Sequence, residues 1–338
     1  KVKILLISSE VFPVPPPAYG GLEMVVFDLA AELGRMGHDV YVLCPEGSRE
    51  DRFHILTPCK PSHGNREDIA YQSIQPSLGD FDVIHDHSWG GHVYQAKQKR
   101  PKLPVLHTLH AQQSYGSIPM PKPCWVSASR FHASFTRQQL GYEPRVVYHG
   151  IDLARHSLDP TVMKDDYLLY LARVQHIKGA MEFVNLCLKT GMKGKLAGED
   201  WYIPAEEQGY VRRIMEMCAA SKGQVEYLGR AAQEWKVELL RKARCLVSPL
   251  NPPYYEIFGL TTIEAAACGT PGLSTDRGAA RELIQEGKTG AVATDNTCLE
   301  TNLKVALECK PEDCVVWAQG FSRREMATQY AKLYEEVA

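Results

Sequence analysis

Apolar positions along this chain fall into two alternating patterns. Short unbroken runs, beginning with residues 1–8 (KVKILLIS), suit strands buried on both faces of a parallel sheet. Between them lie stretches with apolar residues at helical spacing, such as 24–36, which Gly37-His38 closes. The alternation predicts further strands at 40–44, 82–85, 104–109, 125–128 and 145–148, with a Ser129-led helix running to Leu140. Residues 153–166 carry no clear periodicity and read as a connection. A second series follows, with strands at 167–171, 195–197, 225–228, 245–248 and 271–275 and a helix over 231–242. Each series runs to roughly six strands, the pattern of a doubly wound α/β domain. A last helical stretch closes the chain in 321–338.

One stretch concentrates the candidate chemistry: residues 248–274, SPLNPPYYEIFGLTTIEAAACGTPGLS. A strand end runs into a Pro- and Tyr-rich loop carrying Glu256. A helix-forming run then opens after Gly259 and is stopped by Gly269 and Pro271. Backbone amides at Phe258, Gly259 and Leu260 are expected to face an anion, which the helix dipole favours. A phosphate beside two carboxylates that grip hydroxyls suggests a sugar nucleotide.

Other candidates stand at strand ends. Gly20-Gly21 follow the first strand in a long loop, where missing side chains let the backbone approach a ligand. The dinucleotide pattern G-x-G-x-x-G is absent. Arg173 and Lys178 bracket a strand-to-helix loop and are suited to one anion, Arg by a bidentate fork and Lys as a point charge. His110 ends its strand, placed to hydrogen-bond a sugar hydroxyl or phosphate oxygen, with a buried structural histidine as the alternative. His85, Asp86 and His87 are read as cleft-lining rather than metal-binding, with the two histidines on opposite sides of an extended strand.

Composition narrows the class. A net charge of −2 gives no footprint for nucleic acid. The basic cluster Lys97-Gln98-Lys99-Arg100-Pro101-Lys102 reads as a solvated corner, with docking on lipid headgroups as the alternative. The ten cysteines include no C-x-x-C pair, which fits a reducing, cytoplasmic compartment rather than a disulfide or metal framework. No signal peptide precedes the first strand, although the chain starts without Met and a removed leader stays open.

Glu256 and Glu264, with seven residues between them, together with FGL and EAAACGTP, resemble the signature of the family 4 retaining glycosyltransferases. The resemblance implies the GT-B fold, two Rossmann-like doubly wound parallel-sheet domains facing across a cleft: an acceptor-side domain at 1–152, a nucleotide-sugar-binding domain at 153–320, and a closing helix in 321–338 that crosses back to the first. It implies that Glu256 contacts the transferred sugar, that Glu264 grips the nucleotide ribose, and that the Phe258-Gly259 backbone holds a donor phosphate. Arg173 and Lys178-Gly179 match the family's pyrophosphate-binding motif, with Ala172 where Gly is usual. Gly20-Gly21 match its GG-x-E segment near the donor phosphates, and His110 its sugar-contacting histidine. Arg230 falls at the strand exit where the family seats the base. His149 departs from the Asn usual at the domain crossing. A nucleotide-diphosphate sugar, UDP-hexose by preference, is the expected donor; the acceptor is unassigned, and neither cofactor nor metal is expected.

Rivals remain at this level. A retaining glycosidase needs its carboxylates about 5 Å apart, whereas eight helical positions span about 12 Å. A nucleotide-sugar 2-epimerase on the same fold requires an acid/base pair that the chain does not reveal. A non-catalytic nucleotide-sugar-binding protein would keep the binding residues without the reaction.

Overall fold

The computed structural model describes residues 1–18, 20–50, 52–61, 67–112, 125–141, 143–198 and 205–337. Two compact units emerge: Lys1–Ile151 with Phe321–Ala338, and Asp152–Gly320.

The first unit runs β1 (Lys3–Ile7), α1 (Gly21–Arg35), β2 (Asp39–Leu43), β3 (His54–Leu56), α2 (Glu67–Ile74), β4 (Val83–Asp86), α3 (His92–Lys99), β5 (Val105–Leu109), β6 (Trp125–Ser127), α4 (Arg130–Leu140) and β7 (Arg145–Val146). Its strands form one sheet in the order β3-β2-β1-β4-β5-β6-β7, and all pairings are parallel. The order reverses at β1 and β4, the point where doubly wound sheets open a crevice beyond their carboxyl ends.

The second unit runs β8 (Tyr167–Leu171), α5 (Ala180–Thr190), β9 (Lys193–Ala197), α6 (Gln208–Ala220), β10 (Val225–Gly229), α7 (Gln233–Lys242), β11 (Cys245–Ser248), α8 (Leu260–Ala267), β12 (Gly272–Thr275), α9 (Ala280–Leu283), β13 (Gly290–Ala293), α10 (Leu299–Leu307) and α11 (Pro311–Ala318). Its parallel sheet has the order β10-β9-β8-β11-β12-β13, so the reversal falls at β8 and β11. The unbroken apolar run of β8 is explained by its two packed faces. Leu168 and Tyr170 join a core with Phe183, Leu196 and Val247, while Tyr167 and Leu169 join another with Leu240, Leu246 and Ala265.

The chain ends in α12 (Arg323–Val337), which belongs to the first unit. Tyr330 and Tyr334 on this helix are fully buried. Their hydroxyls lie 2.7 Å from Thr108 Oγ1 and 2.7 Å from His85 Nδ1. Arg323 pairs with Asp28 of α1 at 3.3 Å.

Three sequence expectations are corrected here. The first helix starts at Gly21 rather than Met24, because Gly20 turns the chain at φ 145° directly ahead of it. The first sheet has seven strands, since the short edge strand β3 carries no readable periodicity. His85 and His87 do not face opposite sides: their ring centroids lie 4.0 Å apart. Side chains two positions apart return to the same face of extended backbone.

Candidate functional site

The β11–α8 loop is held in place by two neighbouring loops of the second unit. Asn251 donates twice to the backbone of the β8–α5 loop, its main-chain N–H to Ile177 O at 3.0 Å and its side-chain Nδ2 to His176 O at 2.8 Å. On the other side, Ala279 N donates to Glu256 O at 2.9 Å. This approach needs a glycine at 278, where φ is 82° and a Cβ would meet Glu256 O at 1.9 Å. The clamp brings together residues far apart in sequence.

Lys178 Nζ donates to Glu256 Oε2 at 2.7 Å and to the Tyr254 hydroxyl at 2.7 Å, and Tyr254 in turn donates to Glu256 Oε1 at 3.1 Å. The ammonium also sits 4.1 Å from the centre of the Tyr254 ring. Burial pushes the Glu256 carboxyl up, but the Lys178 ammonium outweighs it and holds the group below the usual range, with a smaller push from Arg173. Arg173 leaves a buried Nε without a hydrogen-bond partner among the described residues. Lys178 and Glu256 line a pocket with Tyr170, Ser248, Gly259 and Thr261. These residues come from β8 and β11, from the loops that leave their carboxyl ends and from the first turn of α8, so the pocket lies at the reversal of strand order. The first-turn amides of α8 have no earlier helical carbonyl to bond, which suits an anion there.

Gly259 is the residue before α8, at φ 100°, and Leu260 is the first helical residue. Phe258 is buried and lines the same pocket. Glu264 is in a separate cluster on the inner side of the helix. Lys236 Nζ donates to its Oε1 at 2.8 Å, and His156 Nε2 lies 3.5 Å from the same oxygen. Burial pushes Glu264 up, and Lys236 and His156 outweigh it and bring it below its usual range. Burial lowers His156 to about 4, against the opposing pull of Glu264. The Oε2 of Glu264 is buried without a hydrogen-bond partner among the described residues. Arg230 is exposed, directly after the edge strand β10.

Gly20, Gly21 and His110 belong to the first unit. A Cβ on Gly20 would come 2.6 Å from Pro16 Cβ, so the glycine is demanded by its own loop; Gly21 is exposed. Tyr19 lies outside the described residues. His110 Nε2 lies 2.8 Å from His87 Nδ1, and the His110 ring stacks on His149 with centroids 5.0 Å apart. Burial, and then its neighbouring histidines, hold His110 well below the usual range and therefore neutral.

Sequence reasoning missed Tyr254, Lys236 and His156, whose partners are distant in the chain, and gave no structural part to His149, the departure from the family pattern, which stacks on His110. Part of the basic cluster is spent locally, since Lys97 Nζ donates to Leu103 O at 2.6 Å. Among the described residues no helix is long and apolar enough to cross a membrane.

Two doubly wound parallel-sheet units in one chain define the GT-B fold of glycosyltransferases. Among solved structures the chain resembles AviGT4, a glycosyltransferase involved in avilamycin A biosynthesis, with a TM-score of 0.77 at 22% identity over 100% of this chain and 98% of that one. It also resembles sucrose-phosphate synthase from Thermosynechococcus elongatus, with a TM-score of 0.79 at 19% identity and 99% of each chain covered. Anabaena HepE, solved with UDP and glucose, gives a TM-score of 0.72 at 17% identity over 99% of this chain and 100% of that one.

The model of Glycosyltransferase Family 4 matches residues 19–155, and that of Glycosyl transferases group 1 matches residues 166–308. The chain belongs to the family 4 glycosyltransferases. A D-inositol 3-phosphate glycosyltransferase of Geodermatophilus obscurus is 26% identical over 66% of this chain and 58% of that protein. A glycogen synthase of Mycobacterium tuberculosis is 24% identical over 86% of this chain and 81% of that protein.

Proposed function

We propose that this glycosyltransferase moves a hexose from UDP-hexose to an acceptor with retention at the anomeric carbon and without a divalent metal. The observation that carries the reading is the Lys178–Glu256–Tyr254 cluster, set in a pocket with the start of α8. Breaking the glycosyl–phosphate bond builds negative charge on the departing diphosphate. Lys178, Arg173 and the backbone at Phe258, Gly259 and Leu260 stabilise that charge as fixed groups, the role a metal plays elsewhere. Glu256, kept ionised by Lys178, orients the sugar through its hydroxyls. Glu264 offers its unpartnered oxygen to the ribose, and Arg230 lies near the base. Within the first unit, His110 serves as a neutral hydrogen-bonding group for a sugar hydroxyl or phosphate oxygen, and Gly20 and Gly21 leave backbone open to a ligand. The UDP preference is supported by Anabaena HepE, which was solved with UDP and glucose.

The test incubates the protein with UDP-, GDP- and ADP-hexoses, with and without candidate acceptors and with and without EDTA. Release of UDP that depends on acceptor, an axial-to-axial anomeric outcome by NMR, and indifference to EDTA support the reading. Isomerised sugar means an epimerase, and binding alone a sensor. Glu256→Ala is expected to abolish turnover while weakening donor binding only modestly; near-normal turnover refutes its role.

A further inference from the structure

The first unit holds a second pocket, also at its reversal of strand order, beyond the carboxyl ends of β1, β2 and β4. Ser8 and Glu10 line it after β1, Ser88 after β4, Glu67 and Tyr71 from α2 and His92 from α3. Two of these side chains are buried and each leaves an oxygen without a partner among the described residues. Glu10 and Ser8 are 6% and 5% exposed, and Glu10 Oε2 and Ser8 Oγ lack hydrogen-bond partners among the described residues. Glu67 is committed on one side, its carboxylate accepting from Trp89 N at 2.7 Å and Gly90 N at 2.5 Å. Burial raises Glu67 to about 8, and the charges of Glu10 and Asp86 push the same way. Glu23 of α1 accepts from the hydroxyl of Ser9, which lines the pocket, and is raised to about 7, chiefly by burial, with Glu10 adding to the rise. No Lys or Arg is among the described residues lining the pocket.

These features have a shared reading. Buried carboxylates without a cation are costly, and an unpartnered buried acceptor loses its hydrogen bond to water without replacement. The pocket has room for about 20 Å³, close to one water-sized group. A primary ammonium is of that size, carries the missing charge and brings three donors. A hydroxyl of the same size brings one donor and no charge. We propose that this pocket is a subsite for a primary ammonium group carried by the acceptor, held by Glu10, Ser8 and Glu67. The proposal rests on the reading that the first unit receives the acceptor.

The experiment compares pairs of sugars that differ by one group, glucosamine with glucose and galactosamine with galactose, with N-acetylglucosamine as a third member that lacks the charge. Binding to the full chain is measured by calorimetry or ligand-observed NMR without donor, and UDP release from UDP-glucose is followed separately. The amine members are expected to bind about tenfold tighter or better, as charge-assisted hydrogen bonds allow. Glu10→Gln is expected to bring each pair level, and should that variant not fold, the wild-type ratio decides alone. Equal binding within each pair, no amine binding at millimolar concentration, a preference that survives Glu10→Gln, or displacement of the amine by equimolar Mg²⁺ would each overturn it. An amine preference without UDP release would sink the donor assignment and leave the subsite standing.

Discussion

Replacing Lys178 by alanine separates what the Lys178–Glu256 pair does for folding from what it does for transfer. The substitution removes an ammonium 2.7 Å from Glu256 Oε2 and opens a gap beside Tyr254. Breaking a fully buried pair costs about 3–5 kcal/mol, and a solvent-exposed pair is worth about 0–1 kcal/mol. The Lys178 side chain is 10% exposed and that of Glu256 28%, so screening reduces the cost to about 2 kcal/mol. For a unit of this size that lowers Tm by about 4–8 °C. Loss of a fixed donor at developing charge costs more in catalysis, about 10²–10³ in kcat/KM. The pH dependence has a definite sign. Lys178 depresses the Glu256 pKa below the usual 4.5, so the pair stabilises the folded chain above that pH and its contribution fades as pH falls further. The Tm gap between wild type and variant should therefore be full at pH 7 and shrink below about pH 4.5. The double variant Lys178→Ala/Glu256→Gln is expected to recover most of the Tm and none of the activity. The assay is UDP release from UDP-hexose beside a thermal melt. A lower Tm with kcat/KM within threefold of wild type would refute the leaving-group role and leave Lys178 a structural cation.

Three further outcomes are expected. Lys236→Met leaves Glu264, 3% exposed, without its ammonium; the loss should be about 3–5 kcal/mol by urea unfolding, largely recovered in Lys236→Met/Glu264→Gln, and an additive double variant would deny the pairing. Glu23 keeps its proton in the folded chain from the usual 4.5 up to about 7, so its contribution is full below pH 4.5 and lost as pH rises to 7, about 3 kcal/mol in all at about 1.4 kcal/mol per pH unit. Glu23→Gln should accordingly gain on wild type by that order between pH 5 and pH 8, and a constant difference would contradict the burial of that charge. Gly278→Ala forces a Cβ toward Glu256 O at a positive φ; a cost of about 1–3 kcal/mol with a fall in turnover is expected, and an unchanged melt would show that the clamp on the Glu256 loop yields freely.

Much of this architecture is written in local pattern. The apolar runs at β1 and β8 announce strands covered on both faces, because a strand with one wet face would alternate. The β11–loop–α8 stretch announces itself through Gly259, the alanine-rich helix and the Gly269 stop, since turn chemistry and helix propensity act within a few residues. The short strand β3 was unreadable because a three-residue edge strand, exposed or half-buried along its length, leaves no apolar signature.

Pairing across the chain is another matter. Lys178 and Glu256 stand 78 positions apart and meet because the parallel sheet sets β8 and β11 side by side with their carboxyl ends together. In the first unit, Ser8 and Glu10 beyond the end of β1 share a pocket with Glu67 at the start of α2, which no spacing in the sequence foretells. Local sequence determined which segments become strands, helices and turns, since those depend on near neighbours. The tertiary structure alone decided which charges lie buried together, because burial and distance are properties of the assembled sheet.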